Sequence, residues 1–314
     1  MTWHRRSLRI LAAAAPLALA TVLLGWGARE ASSPGQQGWL PLWEVSGGNG
    51  TVHLLGSIHL LRPDVYPLDP TIYEVFDSAD VVVFELDAAE LAKAAPAMMA
   101  RGTYGSGRTI ADDLPADLVS ELERRGQELS FPPAMLRGMK PWFAAMTLSA
   151  LVLQRAGFQA TSGIDAHFHQ RAATAGKRTM GLETAEDQLS ALDGLSAEAQ
   201  VVFVQRTLAD LDSAAAKLDH STALWQAGDV DALAAMMAES MRGQPELEER
   251  LLTNRNRNWV PQIEALLRSG ERAMVIVGLA HLVGEGSVVD LLEKRGYTVR
   301  QLRAVEAAGV GASH

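Results

Sequence analysis

No cysteine occurs among the 314 residues, which excludes disulfide staples, thiolate metal sites and a cysteine nucleophile. Any metal bound by this chain must be held by histidine, carboxylate or carbonyl groups. Basic residues are in deficit: 28 Lys and Arg stand against 37 Asp and Glu, a formal net charge of −9. With no basic tract to neutralise phosphates, a nucleic-acid partner is not expected. Also missing are a Walker A loop, a Gly-x-Gly-x-x-Gly turn after a strand, a His-Glu-x-x-His pair and a Gly-x-Ser-x-Gly elbow. Their absence takes most of the support from the common nucleotide-binding, zincin and serine-hydrolase classes. What remains is a chain of 48% hydrophobic and 21% charged residues, the balance of a globular core organised as one large domain or one domain with an insertion.

The composition is uneven along the chain. Arg5, Arg6 and Arg9 precede the uncharged run Ile10 to Trp26, the pattern of an export signal or membrane anchor. The expected organisation is a signal peptide or N-terminal anchor over 1–30, a linker over 31–38, a folded domain over 39–303 and a flexible tail over 304–314. The protein is then exported, either periplasmic or extracellular or held at the membrane by its N-terminal helix. A cysteine-linked lipid anchor is excluded.

Within the domain, Leu40 to Val45 and Thr51 to Ser57 read as strands joined by a Gly- and Asn-rich turn. A helix over Pro70 to Ser78 leads into the apolar run Asp80 to Leu86, a buried strand of parallel type. The middle shows helical spacing over 88–99, 115–127, 141–156, 165–175 and 196–241, with one short strand at Lys177 to Leu182. A helix over Glu246 to Ser269, interrupted at Pro261, precedes strand Ala273 to Val277, helix Ser287 to Arg295 and strand Tyr297 to Leu302. The expected fold is α/β (α+β): a central mixed sheet built from N- and C-terminal segments, with a large helical middle.

Two segments echo each other. Leu55-Gly56-Ser57-Ile58-His59-Leu60 and Val277-Gly278-Leu279-Ala280-His281-Leu282 are each an apolar strand running into Gly-x-x-His-Leu, with the histidines 222 residues apart. A glycine at a strand end lets the chain turn sharply, and the histidine then sits at the carboxyl edge of the sheet, where α/β proteins place ligands. Two imidazoles there can bind a divalent metal or act as an acid/base pair; the plainer alternative is two hydrogen-bonded loop residues. Glu85 closes an apolar strand, where burial would require a cation or several donors, unless it faces solvent. Asp87 can share its face. Glu183 follows a strand and opens a helix, so it is either a site residue or an acid favoured by the helix dipole. Asp165 reads as an N-cap. His167 and His169, two apart on a helix, point in different directions and read as packing or surface residues. In Asn254-Arg255-Asn256-Arg257-Asn258, residues Asn254 and Asn258 share a helical face beside Arg257. That face can bind a carboxylate or polarise a carbonyl, or it is simply solvated.

Taken in order, Trp43-Glu44, Leu55-Gly56-Ser57-Ile58-His59, Val83-Phe84-Glu85-Leu86-Asp87, Gly163-Ile164-Asp165, Gly181-Leu182-Glu183-Thr184, Arg257-Asn258 and Val277-Gly278-Leu279-Ala280-His281-Leu282 resemble the TraB/GumN (PrgY-like) family, related to the TIKI proteases. The resemblance spans roughly Trp39 to Leu302. It implies a metal-dependent hydrolase of peptide or protein substrates outside the cytoplasm. The ion, Mn²⁺, Co²⁺ or Zn²⁺, is expected on His59, His281 and Glu85, with Glu85, Glu183, Arg257 and Asn258 as catalytic companions. The alternative function is a non-catalytic module that captures a signalling peptide in the same cleft.

Overall fold

The computed structural model describes residues 38–304. The basic and apolar N-terminal segment, the linker up to residue 37 and the tail after residue 304 lie outside the described residues. Six strands form one mixed sheet: β1 (Trp39–Ser46), β2 (Thr51–Ser57), β3 (Val81–Phe84), β4 (Arg178–Gly181), β5 (Arg272–Gly278) and β6 (Thr298–Arg303), in the order β4-β3-β5-β2-β1-β6. Strands β2, β5, β3 and β4 are mutually parallel, whereas β1 runs antiparallel to both β2 and β6. The sheet thus joins both ends of the domain, as the sequence led us to expect, and the middle of the chain is mostly helical.

The central strands are apolar on both faces. Val81 to Phe84 of β3 and Ala273 to Val277 of β5 are all at most 1% exposed, which is the pattern of parallel strands covered on each side. Helix Pro70–Ser78 packs on β5, helix Asn254–Ser269 on β2 and helix Ala214–Ala227 on β1. Trp142, Phe203, Leu148 and their neighbours build a second apolar cluster inside the helical middle, away from the sheet core. Among the described residues no helix is long and apolar enough to cross a membrane.

Two departures from expectation have local causes. The helix expected over Glu246 to Ser269 is divided into Pro245–Glu248, a π-helical turn Glu249–Thr253 and the helix Asn254–Ser269. That last helix runs through Pro261 instead of breaking there. Proline removes one N–H and so frees the carbonyl four residues back, which belongs to the exposed Arg257, where water can satisfy it. Gly228 ends helix Ala214–Ala227 with a φ of +65°, and Asp229 then caps the next helix by accepting from the Ala232 amide.

Candidate functional site

Each of the four parallel strands delivers one candidate side chain just past its carboxyl end: His59 after β2, Glu85 after β3, Glu183 after β4 and His281 after β5. Because the strands are neighbours, residues distant in sequence meet at one sheet edge. His59, Glu85 and His281 are buried, at 6%, 8% and 0% exposed, and the Glu183 side chain is buried with them.

Helix Ile164–Ala175 brings Asp165 to His59. Asp165 is buried, and its Oδ1 lies 3.0 Å from His59 Nδ1. Gly163 makes this approach possible: a Cβ there would stand 2.8 Å from the His59 carbonyl carbon, and the Ile164 amide donates to the Ile58 carbonyl at 3.0 Å. The expected role of Asp165 as an N-cap is therefore corrected. Gly163 holds the N-cap position, and the Asp165 carboxylate is committed to His59. Burial alone would lower the His59 pKa. The charge and hydrogen bond of Asp165, with Glu85 beyond, outweigh burial and raise it above 6.5.

The second histidine has a different setting. Arginine only donates, so the 3.1 Å contact between Arg255 Nη1 and His281 Nε2 requires a bare nitrogen at Nε2. His281 Nδ1 then donates to Asn256 Oδ1 at 2.7 Å, and Asn256 Nδ2 donates to the Gly286 carbonyl at 2.9 Å. Burial, and then the Arg255 guanidinium, push the His281 pKa down to about 3.

Arg255 is the hub. Its Nη2 donates to Glu85 Oε2 at 2.7 Å, its Nε and Nη2 grip Glu183 at 2.7–3.1 Å, and its Nη1 also reaches the Leu251 carbonyl. Its guanidinium lies 4.8 Å from the Trp259 ring centroid, a cation–π distance. Glu85 gains further donors from the Gly278 amide at 2.7 Å and Gln188 Nε2 at 3.0 Å. Burial would raise its pKa, but Arg255, His281, His59 and the Gly278 amide hold it at about 2. One guanidinium cannot fully compensate two buried carboxylates, and the imbalance falls on Glu183. Burial pushes its pKa upward despite Arg255 and the hydrogen bond from Trp259 Nε1.

Two companions expected from the sequence lie elsewhere. Arg257 is exposed and pairs with Glu249 at 3.1 Å, and Asn258 is exposed as well. The buried stripe of their helix is Arg255, Asn256, Trp259, Val260, Ile263, Leu266 and Leu267, at the three- and four-residue spacing of a helix. Extending the apolar residues Trp259, Val260 and Ile263 back by one turn points to Arg255 and Asn256, and this was the signal available in the sequence. Asp87 caps helix Ala88–Gly102 by accepting from the amides of Ala89 and Glu90. His167 stacks on Tyr66 at 4.6 Å and His169 on Phe84 at 3.6 Å between ring centroids, so both pack as expected, but His169 also lines the pocket.

That pocket is bounded by Ser57, His59, Glu85, Asp165, His169 and Gln188, with apolar walls including Leu91 and Ile276, and holds about 20 Å³ of water-accessible space. This is room for about one water molecule. His59 Nε2 is 3.9 Å from Glu85 Oε1, a gap across which one water can contact both groups. Ser57 Oγ and Asp165 Oδ2 are buried without a hydrogen-bond partner among the described residues.

A metal on His59, His281 and Glu85 does not fit this arrangement. Both nitrogens of His281 and both oxygens of Glu85 are engaged by protein donors or acceptors. Among the described residues, no three His, Asp or Glu side chains are placed to hold an ion together. The cation among these groups is Arg255.

Comparison with known proteins fits the residue pattern. The chain is 26% identical over 250 residues to the "Uncharacterized protein YbaP" of Escherichia coli (strain K12), covering 78% of this chain and 89% of that protein. It is 24% identical over 268 residues to an "Uncharacterized protein" of Treponema pallidum, covering 81% and 80%. Residues 41–301, which carry every side chain of the cluster, match the TraB/PrgY/gumN family, and the chain belongs to that family.

Proposed function

We propose that this chain is a hydrolase that cleaves a peptide or similar amide carbonyl at the carboxyl edge of its sheet, outside the cytoplasm. The observation that carries the reading is the His59–Asp165 pair. A buried imidazole is fixed through Nδ1, with Nε2 turned toward a water-sized pocket shared with Glu85. Asp165 holds the proton on Nδ1 and so leaves Nε2 as the base, the orienting role a carboxylate plays for a catalytic histidine. A water between His59 and Glu85 would give its proton to Nε2 as its oxygen attacks the scissile carbonyl. The unpartnered Ser57 hydroxyl is a donor for the oxygen that becomes negative. Arg255 holds Glu85 ionised and in place. Export rests on the basic and apolar N-terminal segment.

The test is incubation of the purified full chain with a mixed peptide library, followed by mass spectrometry. The expected result is product pairs whose masses sum to a parent peptide plus one water, lost in His59→Gln. Peptides retained by the protein with unchanged mass would favour capture without cleavage and would contradict hydrolysis.

A further inference from the structure

Glu85 Oε2, both oxygens of Glu183 and the bare Nε2 of His281 come from three different strand ends, and all of them close on one guanidinium at 2.7–3.1 Å. Two carboxylates and a neutral imidazole are donor types suited to a divalent cation, but here they are spread around the three nitrogens of one guanidinium and do not meet at a single point. The space between them is taken by a side chain that is always charged, is 6% exposed and presents a rigid fork of donors. Each of these side chains is held from behind as well. Gln188 and the Gly278 amide fix Glu85, Trp259 fixes Glu183, and Asn256 fixes the His281 tautomer.

We infer that Arg255 is the resident cation of this site, standing where a metal would otherwise bind, so that the native protein keeps the Glu85–Glu183–His281 cluster free of metal and loss of the Arg255 charge opens it to a divalent ion. Steric and charge exclusion act together. An ion cannot enter beside the guanidinium without breaking its ion pairs, and each carboxylate it would take is already compensated in a buried setting where unpaired charge is costly. Metal content reads this assignment independently of whether the chain hydrolyses anything.

The experiment is equilibrium dialysis of the EDTA-treated full chain against Mn²⁺, Co²⁺ or Zn²⁺, followed by elemental analysis and, for Co²⁺, visible absorption. Native protein is expected to hold no stoichiometric ion whose binding depends on His281. Arg255→Gln is expected to gain one equivalent and to lose it again when His281→Gln is added. Metal on the native protein that survives both Glu85→Gln and His281→Gln sits elsewhere and leaves the assignment standing. One equivalent on the native protein, lost in His281→Gln, would overturn it. So would a folded Arg255→Gln that binds no more metal than the native chain. If Arg255→Gln does not fold, the native protein together with its His281→Gln variant decides the matter.

Discussion

His59 and His281 end the same Gly-x-x-His-Leu pattern on adjacent parallel strands, and their chemistry is opposite. In register, Ser57 of β2 lies beside Gly278 of β5, so the two motifs reach the same edge of the same sheet. His59 meets the Asp165 carboxylate and is raised above 6.5. His281 meets the Arg255 guanidinium and is pushed down to about 3. The repeated motif sets only position. Whether each histidine is a base facing the pocket or a neutral acceptor locked inside the cluster is decided by partners 106 and 26 residues away in sequence.

The comparison is broken most severely by removing the cation on one side of it. Arg255→Met leaves Glu85 and Glu183 as buried unpaired carboxylates, and a loss of about 3–5 kcal/mol in denaturant unfolding is expected. A change under about 1 kcal/mol would mean that the cluster is wetter than its burial implies. Asp165→Asn acts on the other side. It keeps the shape but removes the charge that raises His59, so the His59 pKa falls while that of His281 stays low. Exchanging a charge-assisted hydrogen bond for a neutral one destabilises by about 1 kcal/mol, and turnover, where a cleaved peptide is found, drops with it. Gly163→Ala tests the approach of the two segments, since a methyl group must displace the His59 backbone; overpacking of this kind costs about 1–3 kcal/mol. At the small end, Arg257→Ala and Asn258→Ala are exposed changes and are expected within about 0.5 kcal/mol of the native protein, with turnover unaltered.

His59 and Glu85 leave opposite marks on pH dependence. His59 has a raised folded pKa, so its contribution to stability is fully present below its ordinary value of 6.5 and fades as pH rises through the folded one. Turnover that needs neutral His59 rises over that same interval. Glu85 is depressed to about 2, so its contribution is present above its ordinary 4.5 and is lost only as pH falls toward 2. Acid unfolding monitored by circular dichroism is expected to steepen in that lower window.

Most of the sheet was legible because its strands are short apolar runs closed by Gly or an acid, and because the Gly-x-x-His echo marked β2 and β5 as equivalent. His59, Glu85, Glu183 and His281 could be singled out for a related reason: each lies within three residues of a strand end, and the strands before His59, Glu85 and His281 are apolar. The partners were harder to read, since helix position alone does not say what a polar residue faces. Asp165 looked like a cap because acids commonly occupy helix starts, and only the close packing at Gly163 turns it toward His59. Arg255 and Asn256 are hard to tell from Arg257 and Asn258 in a run of alternating Arg and Asn, and only the apolar stripe through Trp259 and Val260 separates the buried pair from the exposed one. Gln188 and Trp225, whose indole donates to the Gly56 carbonyl at 2.7 Å and steadies the β2 tip, lie on helices with no local mark of a site.

The most direct measurement is an NMR pH titration of the full chain with labelled histidine, assigning His59 and His281 through His59→Gln and His281→Gln. His59 is expected to titrate above 6.5, and His281 to stay neutral, with its proton on Nδ1, down to at least pH 4. Two histidines titrating together near 6.5, or His281 protonating before His59, would contradict this expectation.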